Sequence, residues 1–151
     1  MIKLLDMTNL EVVEAVLKLQ WQSYQIEAGI INYYDIPPLK DTLESLASCD
    51  EIFYGCIIEN DIAGIIAYKV VDAVLDIHRM AIHPNYFRGG IASQLIKCIE
   101  SIESDCTKIE VCTGRANTPA KELYLKSGFK IVKDVEVSVG LTLTMFEKSY
   151  Q

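Results

Sequence analysis

Residues 80–96 read Met80-Ala81-Ile82-His83-Pro84-Asn85-Tyr86-Phe87-Arg88-Gly89-Gly90-Ile91-Ala92-Ser93-Gln94-Leu95-Ile96, and their reading decides the fold. Met80 to Ile82 is an apolar strand end. Pro84 and Asn85 stop the strand, because proline donates no ladder bond and asparagine favours turns. After Arg88-Gly89-Gly90, residues Ile91, Leu95, Ile99 and Ile102 recur at helical spacing. The pattern is strand, glycine turn, helix start. The first amides of a helix have no internal acceptor, and the aligned peptide dipoles put partial positive charge there. Gly89 and Gly90 leave the backbone open to a large anion, and Arg88 adds a fixed positive charge with a planar fork of donors. Such a turn suits a phosphate or pyrophosphate. It also suits a plain helix start, and the stretch by itself leaves both readings open. Neither the Gly-x-x-x-x-Gly-Lys-Ser/Thr loop nor the Gly-x-Gly-x-x-Gly fingerprint occurs in the chain.

Working outward, the 151 residues suit one domain, residues 1–151, with a substantial core. Half are hydrophobic, yet no apolar run approaches the ~18 residues of a membrane span. Met1-Ile2-Lys3-Leu4-Leu5-Asp6 meets charge too early for a secretory signal, so a soluble, cytoplasmic protein is expected. The five cysteines (Cys49, Cys56, Cys98, Cys106, Cys112) include no Cys-x-x-Cys pair and read as reduced core thiols, with neither disulfides nor a metal site expected. Residues 1–72 hold 12 acids against 4 lysines and arginines, and residues 73–151 hold 9 against 10. No basic stripe exists for nucleic acid. The acidic half reads as solvated helix faces, or as a surface that attracts a cationic substrate while the other half holds an anionic cofactor.

In chain order, residues 2–6 form a first strand, and Thr8-Asn9-Leu10-Glu11 has capping-box spacing, with Thr8 bonding forward and Glu11 back. A helix follows with Leu10, Val13, Leu17, Trp21 and Tyr24 on one face, ending near Glu27-Ala28-Gly29. The loop after it carries Tyr33, Tyr34 and two prolines. A second helix starts at Pro38 or Leu39 and runs through Leu46. Strands are expected over 52–58 and 62–71, joined as a hairpin at Glu59-Asn60-Asp61, and over 73–82. The glycine-turn helix runs to about Ser101, and Lys108 to Cys112 makes a further strand. Thr118-Pro119 starts a last helix that stops at Ser127-Gly128, and strands over 129–136 and 140–148 close the domain. The expected fold class is α/β (α+β): a mixed, largely antiparallel sheet of six to seven strands flanked by about four helices.

Two segments carry a resemblance. His78-Arg79-Met80-Ala81-Ile82-His83-Pro84, running into Phe87-Arg88-Gly89-Gly90-Ile91-Ala92, resembles the pyrophosphate loop of the GCN5-related N-acetyltransferase (GNAT) family, Gln/Arg-x-x-Gly-x-Gly/Ala. Gly90 and Ala92 take its last two fixed positions, while Phe87 stands at the first, with Arg88 displaced by one. Asn117-Thr118-Pro119-Ala120-Lys121-Glu122-Leu123-Tyr124-Leu125-Lys126-Ser127-Gly128-Phe129 resembles the family's Asn-x-x-Ala-x-x-Leu-Tyr-x-x-x-Gly-Phe signature. The resemblance extends to element order over nearly the whole chain. It implies an acyl-CoA N-acyltransferase fold and an acetyl-CoA-dependent transfer to a primary amine, of a small molecule or a protein, by direct attack in a ternary complex. It implies that acetyl-CoA meets Met80, Ala81 and Ile82, the turn Phe87-Arg88-Gly89-Gly90, the helix start Ile91-Ala92-Ser93, and Asn117 and Tyr124. Amides at Met80 to Ile82 would hold the thioester carbonyl.

Tyr124 is the expected proton donor to the leaving thiolate, its alternative being a plain core aromatic. The base is open: Asp76 and His78 share strand parity, and Glu27, Tyr33 and Tyr34 are candidates to meet the acceptor. Cys112 stands beside no base, so a covalent thiol route is not expected. A non-catalytic acyl-CoA sensor and a phosphate-binding interaction domain are the competing functions. No membrane or nucleic-acid partner is expected, the chain being a monomer or homodimer, and the acceptor's identity is not written in the segments at 22–40 and 136–141.

Overall fold

The computed structural model describes residues 1–150 and places all of them in or beside one seven-stranded sheet. Strands β1 (Ile2–Leu4), β2 (Ile52–Ile58), β3 (Asp61–Val71), β4 (Val74–Ile82), β5 (Lys108–Gly114), β6 (Lys130–Ser138) and β7 (Leu141–Ser149) lie in the order β1-β2-β3-β4-β5-β7-β6. Every neighbouring pair is antiparallel except β4 and β5. Helices α1 (Leu10–Ile31) and α2 (Leu43–Ser48) belong to one face, where Val13, Val16 and Leu46 meet Phe53, Ile65 and Ala67. On the other face α3 (Ile91–Ile102) and α4 (Thr118–Lys126) pack Leu95, Ile99 and Tyr124 against Ile66, Leu75 and Phe146. No helix among the described residues is long and apolar enough to cross a membrane.

The early hairpins form where two-residue turns can adopt left-handed backbone. Glu59 and Asn60 both have positive φ, as do Asp72 and Ala73, the pairing a type I′ turn requires. Between them, β3 and β4 contain a bulge. Ala67 faces Arg79 and Tyr68 faces Ile77, so His78 has no partner of its own. A bulge re-aims every residue after it. Leu75 and Ile77 point into the α3 layer, whereas Ala81 joins the α1 layer.

Several sequence expectations are corrected. Asn9, not Thr8, caps α1, accepting from the Glu11 amide at 3.0 Å, because the Thr8 amide and hydroxyl are both spent on Asp6. The buried stripe of α1 runs through Val13, Val16, Gln20, Tyr24 and Ala28, while Leu10 and Trp21 are 59% and 57% exposed. The helix continues past Gly29 to Ile31 and stops at the left-handed Asn32. The second helix is two pieces, a 3-10 turn at Pro37–Lys40 and then α2, whose capping box pairs Thr42 with Ser45. Of the cysteines, Cys56 and Cys106 are core residues but Cys112 is exposed.

One polar knot lies inside the α1 layer. The Arg79 guanidinium donates to Glu51 at 2.9 Å, to Asp41 and to Gln20 at 3.0 Å, and lies over the Phe53 ring. Gln20 in turn donates to Asp41 and to the Pro38 carbonyl. These bonds join α1, β4, the residue just before β2 and the segment before α2, and they make it possible to bury a glutamine in the helix stripe.

On the opposite face Gly64 sets how closely α3 approaches the sheet. A Cβ there would lie 2.7 Å from Ile82 Cδ1 and 2.9 Å from Ile91 Cγ2. Gly64→Ala is therefore expected to cost about 1–3 kcal/mol as both isoleucines are displaced, read as a lower urea midpoint. An unchanged midpoint would show that the start of α3 is loosely seated.

Candidate active site

The site begins where β4 and β5 stop pairing. Their parallel register holds from Val74–Lys108 to Ile77–Val111. Beyond that, β4 continues against β3 as far as Ile82, and β5 continues against β7 as far as Gly114. The two halves of the sheet separate, leaving a gap between Met80–Ile82 and Cys112–Gly114. His83 donates to the Ala63 carbonyl at 2.8 Å on the β3 side. Strand alternation then turns the Ala81 amide toward β3 and the Met80 and Ile82 amides toward the gap. Of the stretch Met80 to Ile82, the amides that face the gap are thus those of Met80 and Ile82.

Helix α1 reaches into this gap, which sequence reading did not foresee. The Met80 amide donates to Tyr24 Oη at 3.0 Å, and the Ile82 amide donates to Ser23 Oγ at 3.3 Å. One turn later Glu27 accepts from Asn117 Nδ2 at 2.7 Å. A Cβ on Gly114 would lie 2.8 Å from Ile31 Cγ2, so α1 touches β5 as well. Glu27, expected near the end of the helix, is thus a helical residue beside the gap. The only local hint was the spacing of Tyr24, Glu27 and Ile31, which repeats at three and four residues.

Asn117 caps α4, its Oδ1 accepting from the Ala120 amide at 3.3 Å. Its Nδ2 is left for Glu27 and for Thr113 Oγ1. This cap places Tyr124 two turns along the helix, its ring packed on Phe129 and Phe146 and only 4% exposed. The Tyr124 hydroxyl makes no hydrogen bond among the described residues. Among the described residues every fully buried side-chain N or O atom does have a partner, so this oxygen is not fully buried, and the groups whose charge it feels are Glu27 and Cys112 beside the gap. Burial, then Glu27 and then Cys112, hold the Tyr124 phenol above its ordinary range. It stays protonated, a hydrogen-bond donor at any physiological pH. Although Cys112 is exposed as a residue, partial desolvation of its thiol, followed by the carboxylates of Asp76 and Glu110, pushes that thiol up as well, which disfavours the thiolate.

At the other end of the gap, a short turn at Pro84–Tyr86 leads through Arg88, with φ 66°, to Gly90, with φ 79°, the residue before α3. No side chain caps α3, and the first backbone bond runs from Gln94 to Gly90. The amides of Ile91, Ala92 and Ser93 therefore face outward with positive dipole character. A Cβ on Gly90 would meet nothing nearer than Gln94 Nε2 at 4.0 Å, so the space above the turn is open. Phe87 and Arg88 are exposed beside it. Uncapped amides over open space fit a diphosphate.

Asp76 and His78 come together, Nε2 to Oδ2 at 3.1 Å, and His78 Nδ1 lies 3.6 Å from Glu51. Both ring nitrogens therefore face carboxylates. Tyr33 Oη bonds Ser138 Oγ at 2.7 Å, tying the loop after α1 to the β6–β7 hairpin, whereas Tyr34 is exposed. A concavity lined by Glu14, Leu17, Trp21 and Asp41 lies on the outward face of α1, apart from these groups.

The profile of the acetyltransferase (GNAT) family matches residues 13–129. The chain belongs to that family. This GNAT protein is 32% identical over 146 residues to the Bacillus subtilis (strain 168) protein named UPF0157 protein YqkA, an alignment covering 97% of this chain and 43% of YqkA. The chain thus spans less than half the length of that curated relative. Its fold is similar to that of the PaiA N-acetyltransferase from Thermoplasma acidophilum, solved in complex with coenzyme A, with TM-score 0.81, 19% identity and 99% of both chains covered. It is also similar to the ribosomal-protein-S18-alanine N-acetyltransferase of Escherichia coli, with TM-score 0.77, 14% identity, and 99% of this chain and 92% of that one covered. An aminoglycoside 6'-N-acetyltransferase complexed with coenzyme A matches at TM-score 0.77 and 13% identity, over 99% of this chain and 96% of that one.

Within this GNAT fold, burial raises the Glu27 carboxyl above its ordinary value, the Asn117 amide pulling the other way. A raised carboxyl binds its proton more tightly in the folded chain than in the unfolded one. Stability is then fullest below the ordinary value of about 4.3 and falls as pH climbs through it to the raised value. Glu27→Gln keeps an acceptor for Asn117 and removes the partly buried charge. It is expected to be more stable than the parent chain at about pH 7, the advantage fading toward about pH 4. Urea melts at both pH values check this; an advantage that does not change with pH would contradict it.

Proposed function

We propose that the protein is an acetyl-CoA-dependent N-acetyltransferase whose acceptor is a cationic primary amine, in one acetyltransferase domain. The observation that carries this reading is the gap itself. It joins outward-facing helix amides at one end to a hydroxyl with no hydrogen bond among the described residues, Tyr124, and a partly buried carboxylate, Glu27, at the other.

Acetyl-CoA would supply the acetyl group as a thioester. The amides of Gly90 to Ser93, with Phe87 and Arg88 beside them, would take the diphosphate. The edges of Met80–Ile82 and the Asn117 side chain would align the pantetheine arm. The amine nitrogen attacks the carbonyl carbon, the C–N bond forms, the C–S bond breaks, and the thiolate leaves.

The protein's own groups handle the protons. A primary alkylamine has a pKa near ~10.4 and arrives charged. Glu27 has one oxygen held by Asn117 and a second with no hydrogen bond among the described residues. That second oxygen attracts the ammonium and takes its proton, and the raised carboxyl value brings Glu27 toward a working base. Asp76 and His78 remain the alternative base, engaged with each other and with Glu51. Tyr124 donates to sulfur. Its phenol, held above the ordinary ~10 against a thiol near ~8.5, supports the leaving thiolate with a hydrogen bond and keeps its own proton, the thiolate taking one from solvent. Tyr33, with the hairpin it is tied to, and Tyr34 border the acceptor's approach. The acidic first half of the chain, 12 acids against 4 basic residues, favours a cationic acceptor.

The test is release of free thiol from acetyl-CoA over a panel of primary amines. Turnover is expected with polycationic amines. Tyr124→Phe is expected to lower turnover at least ~10-fold with acetyl-CoA affinity retained. Unchanged turnover removes Tyr124 from the mechanism. A thermal shift by acetyl-CoA without turnover on any amine would instead favour a non-catalytic acyl-CoA-binding domain.

A further inference from the structure

The amides expected to hold a thioester carbonyl are not free. Met80 N–H donates to Tyr24 Oη at 3.0 Å, and Tyr24 is 7% exposed, on a helix whose neighbouring side chains, Ser23 and Glu27, also touch the gap. A tyrosine hydroxyl both accepts and donates one hydrogen bond. Here the acceptor side is filled by Met80. The donor side has no partner among the described residues, although the ring is almost wholly buried. A buried O–H with no acceptor is destabilising unless something supplies the acceptor.

From this geometry we propose that Tyr24 is the carbonyl-binding donor of the site: Met80 N–H polarises the Tyr24 hydroxyl from behind, and that hydroxyl hydrogen-bonds the thioester oxygen. The strand amide then acts through a side chain from α1 rather than directly. This inference rests on the proposed acetyl-CoA reaction and adds a residue to it.

The arrangement has a chemical rationale. Hydrogen bonds in a chain strengthen one another, so a phenol already accepting from an amide is a better donor. Charge that builds on the carbonyl oxygen during attack is stabilised by a donor fixed in advance, since a packed ring needs no reorganisation. Burial, then the charge of Glu27, raise the Tyr24 phenol, so it keeps its proton when the oxygen becomes negative. No proton changes hands at Tyr24. It also puts the donor on the same helix as Glu27, one turn away, so one rigid element sets both the carbonyl and the amine.

The alternative is that the Tyr24 hydroxyl is only a placeholder, leaving Met80 N–H when the thioester arrives. The two predict opposite signs for Tyr24→Phe, which keeps the ring and removes the oxygen. If Tyr24 is the donor, turnover falls by about 10²-fold, acetyl-CoA still binds, and the infrared band of the bound carbonyl, read with acetyl-CoA labelled with carbon-13 at that position and no amine present, moves up toward its frequency in water. If it is a placeholder, the variant exposes Met80 N–H, so turnover holds or rises and the band stays where the parent protein has it; this overturns the proposal. A second probe leaves packing nearly untouched: 3-fluorotyrosine at position 24 sharpens the donor and is expected to lower the band below that of the parent, and a band that does not move speaks against the proposal. Absence of any bound carbonyl band in the parent protein would overturn the acetyl-CoA reading and this inference with it, which separates that failure from a failure of Tyr24 alone.

Discussion

Two parallel strands that part in the middle of a sheet leave backbone donors and acceptors facing nothing, and each such buried group costs about 1–3 kcal/mol if left unpaired. The structure depends on how that cost is met between Met80–Ile82 and Cys112–Gly114. On the β4 side, hydroxyls of Ser23 and Tyr24 take the two amides. Across the gap, Glu27 and Asn117 bridge the two faces of the sheet. What remains open is a channel edged by a phenol and a carboxylate, with an uncapped helix at its mouth. The gap, the length of α1 and the cap of α4 are one arrangement.

The bulge at His78 belongs to the same arrangement. Without the extra residue, Ala81 would fall on the α3 side, and the amides now meeting α1 would turn toward β3. The Arg79 knot anchors the strand just after the bulge to α1 and to the segment before α2. Gly64 lets the start of α3 sit low on the sheet, and with it the amides of Ile91 to Ser93. Distant residues thus fix where the two ends of the channel lie relative to one another.

Much of this was legible in the sequence. Strand, turn and helix around Gly90 could be read from glycine, proline and apolar spacing, and Asn117 with Tyr124 from the second family segment. The element order gave the mixed sheet because short polar turns force antiparallel neighbours while the glycine-turn helix forces one parallel crossing. The face of α1 was not legible, because its buried stripe contains Gln20 and omits Leu10 and Trp21, and a reading based on hydrophobicity alone selects the wrong residues. Gln20 is buried only because Arg79, Asp41 and the Pro38 carbonyl converge on it, partners 18 to 59 positions away. Ser23 and Tyr24 were missed for the same reason: they bond a strand 56 to 59 residues downstream. The cap of α1 was misplaced by one residue because Asp6 claims Thr8, a local competition between two equally suitable acceptors.

The central claim is that the amides at the start of α3 and the gap beside the edge of β4 together receive one acyl-CoA molecule. Titrating nitrogen-15-labelled protein with acetyl-CoA while following backbone amides by NMR tests it most directly. The account predicts saturable shifts at Gly90, Ile91, Ala92 and Ser93 and, with the same midpoint, at Met80 and Ile82. Shifts confined to one of the two groups, different midpoints for the two, or a response elsewhere on the protein would contradict it.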